Sequence, residues 1–207
     1  MTDRTKFILG IASLFAALVW SGIHPYDYFT WFLEVFPVLA GVGILAVLYP
    51  RFKFTHFVYG LVWVHAMILM IGAHYTYARV PPFDWIRDTF GLMRNNYDKV
   101  GHFAQGFFPA IVAREVLLRA SPLKRGKMLA FIVVSICLAF SAIYELIEWQ
   151  VALALGPRAT DFLGTQGDIW DTQEDMATCL VGAILALVLL GKLHDRYLEK
   201  QARPHVA

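Results

Sequence analysis

Apolar residues in this chain come in long stretches, separated by short polar runs. Six stretches reach or approach the roughly 20 residues that a helix needs to cross a bilayer. They lie at 7–23, 34–49, 54–77, 99–118, 128–150 and 175–192. The pattern predicts an all-α polytopic membrane bundle of about six transmembrane helices, with residues 1–207 forming a single integral membrane domain. Pro37 predicts an irregular start to the second span, and Pro109 a kink in the fourth. The first stretch follows Arg4 and Lys6, as a signal peptide would. Trp20-Ser21-Gly22-Ile23 offers no small-x-small cleavage site, so it is read as a retained span.

Composition agrees with this pattern. Only 16% of the residues are charged, against about 25% in ordinary soluble domains. Cys137 and Cys179 both fall inside apolar stretches and read as small buried hydrophobes, with no disulfide framework or CxxC site.

Charge then sets orientation. Segments 1–6, 50–53, 114–127 and 192–207 hold 13 of the 18 lysines and arginines. The alternate segments 24–34, 79–99 and 145–175 hold 12 of the 16 acids. Basic residues stay cytoplasmic, so both termini are expected in the cytoplasm and the acidic ends on the outer side of the membrane. The outer segment 79–98 opens with Pro81-Pro82 and is expected to lie along the membrane surface. The outer loop 151–174, with Gly156, Gly164 and Gly167, reads as a ligand-approaching loop or a flexible connector.

The acidic ends carry the candidate chemistry. Asp98 and His102 are four apart, Glu145 and Glu148 three apart, and Asp171, Glu174 and Asp175 repeat the i, i+3, i+4 spacing, so each set shares a helix face. His74 stands at the same end of the third span. Carboxylates and imidazoles projected from several helices are how bundles assemble metal sites. Asp98, His102, Glu145, Glu148, Asp171, Asp175 and His74 are therefore the expected ligands of a divalent metal ion whose identity the residues leave open. Each set also has an ordinary role: acids suit helix N-termini, and Asp98 suits a cap. Glu145 and Glu148 are harder to explain that way, because an acid inside the membrane costs roughly 2.5–3.5 kcal/mol unless neutralised or paired. Lys99 and Arg158 are placed to hold an anionic group, and Trp149 to flank an acyl chain. His65, midway along the third span, reads as a hydrogen-bonded interior residue. Ser141 precedes Glu145 by four residues, but no G-x-S-x-G elbow surrounds it. No nucleotide, flavin or nucleic-acid signature is present.

Four strings carry a resemblance: Ala73-His74-Tyr75-Thr76-Tyr77; Arg94-Asn95-Asn96-Tyr97-Asp98 with Gly101-His102-Phe103; Tyr144-Glu145-Leu146-Ile147-Glu148-Trp149; and Leu163-Gly164-Thr165-Gln166-Gly167-Asp168-Ile169-Trp170-Asp171-Thr172-Gln173. In that order they resemble the YjdF-type family of bacterial inner-membrane proteins over nearly the whole chain. The resemblance implies a six-span inner-membrane protein and adds no reaction, because that family's function is undefined. The order of Asp98-Lys99, His102, Arg158 with Asp161, and Asp171 is also similar to VanZ-like membrane proteins, although Glu148 stands where a Gln would be expected.

Three functions are open on these residues. The first is a metal-assisted hydrolase or transferase acting on a lipid-linked or phosphorylated envelope substrate, with Glu145, Glu148 and His102 catalytic. The second is an ion- or proton-coupled transporter. Against it, the inner halves of spans four to six are expected to offer few polar groups, mainly Ser135 and Thr178. The third is a non-catalytic membrane scaffold. Partners beyond the lipid bilayer and such an anionic substrate, and the oligomeric state, are not legible.

Overall fold

The computed structural model describes residues 3–156 and 160–202; of Asp3, Arg4, Lys6, Thr160 and Asp161 it describes the backbone alone. Among the described residues there are eight helices and no strand: α1 (Asp3–Ser21), α2 (Tyr28–Leu48), α3 (His56–Tyr75), α4 (Pro81–Phe90), α5 (Tyr97–Ala120), α6 (Lys127–Leu155), α7 (Thr160–Leu163) and α8 (Asp171–Ala202). The all-helical expectation holds. Four of them, α2, α3, α6 and α8, are long and apolar enough to cross a membrane, and α1 adds a shorter apolar stretch, Phe7–Ser21.

Two expected boundaries shift for identifiable reasons. The second span was expected to begin irregularly near Pro37, yet α2 starts at Tyr28 and carries Pro37 inside it. Asp27 caps this helix, its carboxylate accepting from the Thr30 amide at 2.7 Å. That local bond starts a helix before the apolar run does. The segment 79–98 contains the ten-residue helix α4, with proline at its first turn and Gly91 in the left-handed region (φ 63°) at its end.

Helix α5 organises the bundle. It packs on α3 and α6 and most extensively on α8, whereas α1 packs on α3 and α2 on α3 and α7. It is 24 residues long, but its charges keep it out of the apolar set. Asp98, His102, Arg114 and Glu115 are all buried, so those charges face the interior. Small residues make the α5–α8 contact close: a methyl on Gly106 would strike the Cys179 carbonyl, and one on Gly182 the Phe103 carbonyl. Membrane helices lacking a hydrophobic drive to associate commonly approach through such residues.

The turn after α3 is built around Tyr77. Thr76 and Tyr77 both take left-handed backbone (φ 56° and 46°), uncommon for residues other than glycine. This folds the Tyr77 ring onto Gly72 of α3 and Gly101 of α5, and a methyl on Gly101 would lie 2.7 Å from the ring.

An apolar layer crosses the bundle: Val58, Ala110, Ile111, Val133, Cys137, Cys179 and Ala183. Polar networks flank it on both sides. The one at the basic end contradicts the expectation that the inner halves carry few polar groups. Glu115 and His194 are both fully buried there. The Glu115 carboxylate accepts from the Thr55 amide and hydroxyl (both 2.8 Å), Arg119 (2.6 Å) and His194 Nε2 (2.9 Å). Arg114 donates to His194 Nδ1 (2.9 Å) and Asp195 (2.7 Å). Since a guanidinium only donates, Nδ1 is the acceptor and the proton sits on Nε2, facing Glu115. The network staples the α2–α3 connection, α5 and α8 together. A buried charge stripped of such partners costs about 3–5 kcal/mol.

Candidate functional site

At the opposite, acidic end, α5, α6 and α8 bring most of the expected residues together. His102 Nε2 lies 3.5 Å from Asp98 Oδ1 and 3.7 Å from Asp175 Oδ2. Asp98, His102 and Asp175 each offer a ligand atom, all within 4.8 Å of one another. The His102 spacings are close to the ~3.4 Å between donors of a tetrahedral site with bonds of about 2.1 Å. His102 Nδ1 stands 3.2 Å from Gln105 Oε1. An amide oxygen only accepts, so Nδ1 carries a proton, and Nε2 is turned toward the two carboxylates, donating to them when the ring is protonated and free to join them on a metal ion when it is not.

Glu145 adds a fourth group. It is buried, its Oε1 lies 3.8 Å from His102 Nδ1, and that oxygen has no hydrogen-bond partner among the described residues. Glu148 is also buried, but it stands apart from the triad. It lines a cavity of about 90 Å³ shared with Glu34, His65, Tyr77, Asp98, His102 and Tyr144. His65, expected to be hydrogen-bonded, instead stacks on Phe108 (5.5 Å), and its Nε2 has no partner among the described residues.

Cations occupy one flank. Lys99, expected to orient an anion, is committed to Asp175 (2.8 Å), Asp171 (3.3 Å) and Glu174 (3.3 Å). Arg94 binds Asp171 closely and reaches Asp98 and Asp168 at 3.4 Å each. Burial works against the Arg94 charge, but Asp171 first, then Asp98 and Asp175, outweigh it and hold its pKa above the ordinary guanidinium value. Asp171 thus belongs to an ion-pair lattice beside the triad, not to the ligand group itself.

Other expected residues lie elsewhere. His74 donates from Nδ1 to the Ser21 carbonyl (3.1 Å) and stacks on Trp20, tying α1 to α3. Trp149 is 55% exposed on α6 and does not line the cavity. Arg158 lies outside the described residues, as does the side chain of Asp161.

Loop contacts give two of the quoted strings a structural reason. Gln166 and Asn95 exchange hydrogen bonds, Asn95 N to Gln166 Oε1 (3.0 Å) and Gln166 Nε2 to Asn95 O (2.8 Å). Fully buried Asn95 also donates to Val80 O and Asp84, 3.0 Å each. The left-handed backbone at Gly164 and Gly167 shapes the loop for this clamp.

A family model described as "Predicted membrane protein (DUF2238)" matches residues 7–196. The inner membrane protein YjdF of Escherichia coli (strain K12) is 49% identical over 183 residues, 88% of either chain. The chain belongs to this family. No solved structure matches it. The matched residues include all three members of the triad, on α5 and α8. Residue patterns alone missed Arg94, Gln105, Glu34 and Tyr144. Arg94 was the most findable, since it stands four residues before Asp98, the spacing of a helical ion pair.

Proposed function

We propose that this membrane protein sits in the bacterial inner membrane with six spans and both termini cytoplasmic. In this reading it is a metal-assisted hydrolase or transferase acting on a lipid-linked or phosphorylated envelope substrate on the periplasmic side. The relative's name supports the membrane, and the basic segregation of 13 of 18 lysines and arginines supports the orientation. The observation that carries the chemistry is the convergence of Asp98, His102 and Asp175 on one point.

Asp98, His102 and Asp175 would hold the ion, with Gln105 fixing the imidazole tautomer. A divalent ion there supplies Lewis-acid activation of water or of a phosphoryl oxygen. Glu145, with an unpartnered buried oxygen, is placed to accept a proton from the attacking group. Arg94 and Lys99 act through Asp171 and Asp175, holding the acidic side chains in position. A carrier would require a polar path through the bundle. The layer of Val58, Ala110, Ile111, Val133, Cys137, Cys179 and Ala183 separates the two polar networks, which favours the enzyme reading.

The test is turnover of phosphorylated envelope lipids in mixed micelles by chelated, purified protein. Activity should return on adding a divalent metal and be lost, by a factor on the order of 10³ or more, in His102→Ala with folding intact. Turnover that survives both chelation and His102→Ala would remove the enzyme reading.

A further inference from the structure

We propose that the cavity beside the triad receives the primary ammonium of an amine-bearing lipid headgroup, which reaches it sideways between α2 and α6. This rests on the membrane-site reading above and names its substrate class.

Glu148 is 9% exposed and, among the described residues, has neither a hydrogen-bond nor an ion-pair partner. A carboxyl buried in a membrane bundle is neutralised either by its own proton or by a cation, so a cation entering this cavity finds its counter-charge in Glu148. Among the described residues, the nearby lysine and arginine are already engaged, Arg94 with Asp171 and Lys99 with Asp175. Glu148 is also not one of the three clustered donors, so an ion at the triad does not satisfy it.

Tyr77 and Tyr144 line the same cavity as Glu148, with Glu34 on the α2 side. Aromatic faces combined with carboxylates suit an ammonium, which gains from the ring quadrupole as well as from the charge. About 90 Å³ leaves room for a few waters or a small polar group.

Helix α2 packs on α3 and α7, and α6 packs on α5, α7 and α8, but α2 and α6 do not pack substantially on each other. The cavity is lined by residues of both, Glu34 and Pro37 on one side, Tyr144 and Glu148 on the other. Helix α7 bridges the pair, and its buried Phe162 borders the cavity. Both helices expose large apolar side chains, Phe36 on α2 and Ile147 on α6 among them, along which acyl chains can lie. Asp98 and His102 belong to both the cavity and the triad, so a phosphate attached to the bound aminoalkyl group meets the triad.

Native mass spectrometry of the full chain in detergent tests this. The probes are short-chain phosphatidylethanolamine, its N-acetylated form, phosphatidylglycerol and free ethanolamine. Phosphatidylethanolamine should bind at least about tenfold more tightly than the other three, and Glu148→Gln should erase that preference. Equal binding of the N-acetylated lipid or phosphatidylglycerol would overturn the proposal. So would a preference that survives Glu148→Gln, and free ethanolamine binding as tightly would overturn the lipid source. If Glu148→Gln does not fold, the wild-type comparison of the free and N-acetylated amines decides alone. Metal stoichiometry, read in the same spectra, reports separately on the triad.

Discussion

Gly106→Ala should lower the thermal midpoint of the detergent-solubilised protein by roughly 5–10 °C, one of the largest single-residue effects in this chain. Alanine is the better helix former by about 1 kcal/mol, so propensity alone predicts the opposite sign. Sterics decide the outcome. The added methyl would strike the Cys179 carbonyl and come within 2.9 Å of the Ala183 amide, and backbone, unlike a side chain, has nowhere to rotate. Separating α5 from α8 to admit it should cost about 3 kcal/mol, which outweighs the propensity gain. Gly60→Ala is the matched control. No atom lies within 4 Å of a methyl at that helical position, so its midpoint should stay level or rise. A Gly106→Ala protein as stable as wild type would mean that α5 and α8 do not pack as closely as described. Because Asp98 and His102 stand on α5 and Asp175 on α8, the same separation should also weaken the triad.

The apolar stretches announced α2, α3, α6 and α8 because length and hydropathy are properties of the chain itself. The start of α2 was hidden, since Asp27 acts through one capping bond that leaves no apolar trace. Asp98 and His102 were legible as a pair from their spacing of four. That Asp175, and not Glu148, completes the triad depends on the glycine contact between α5 and α8, which no local pattern encodes. The Glu115–His194 network was invisible for the same reason: its partners are 79 positions apart. Lys99 was expected to hold an anion because its neighbours on α8 could not be foreseen from α5 alone.

The second large effect concerns the triad. Asp98 and Asp175 each hold a carboxylate oxygen toward His102 Nε2, at 3.5 and 3.7 Å. Converting both to asparagine removes two negative charges and two anionic donors while keeping shape and hydrogen-bonding capacity. Hard divalent ions depend on those charges. The loss in metal affinity should therefore be on the order of a hundredfold or more, well beyond the 10–100-fold typical of outer-shell changes. The bundle itself should persist, since Arg94 and Lys99 keep Asp171 as a partner.

Elemental mass spectrometry of the purified protein is the most direct measurement, comparing wild type with the Asp98→Asn, Asp175→Asn double variant at matched thermal stability. The wild type should carry close to one divalent metal per chain and the variant essentially none. A folded wild type without metal after supplementation, or a variant that retains it, would contradict the triad as a metal centre.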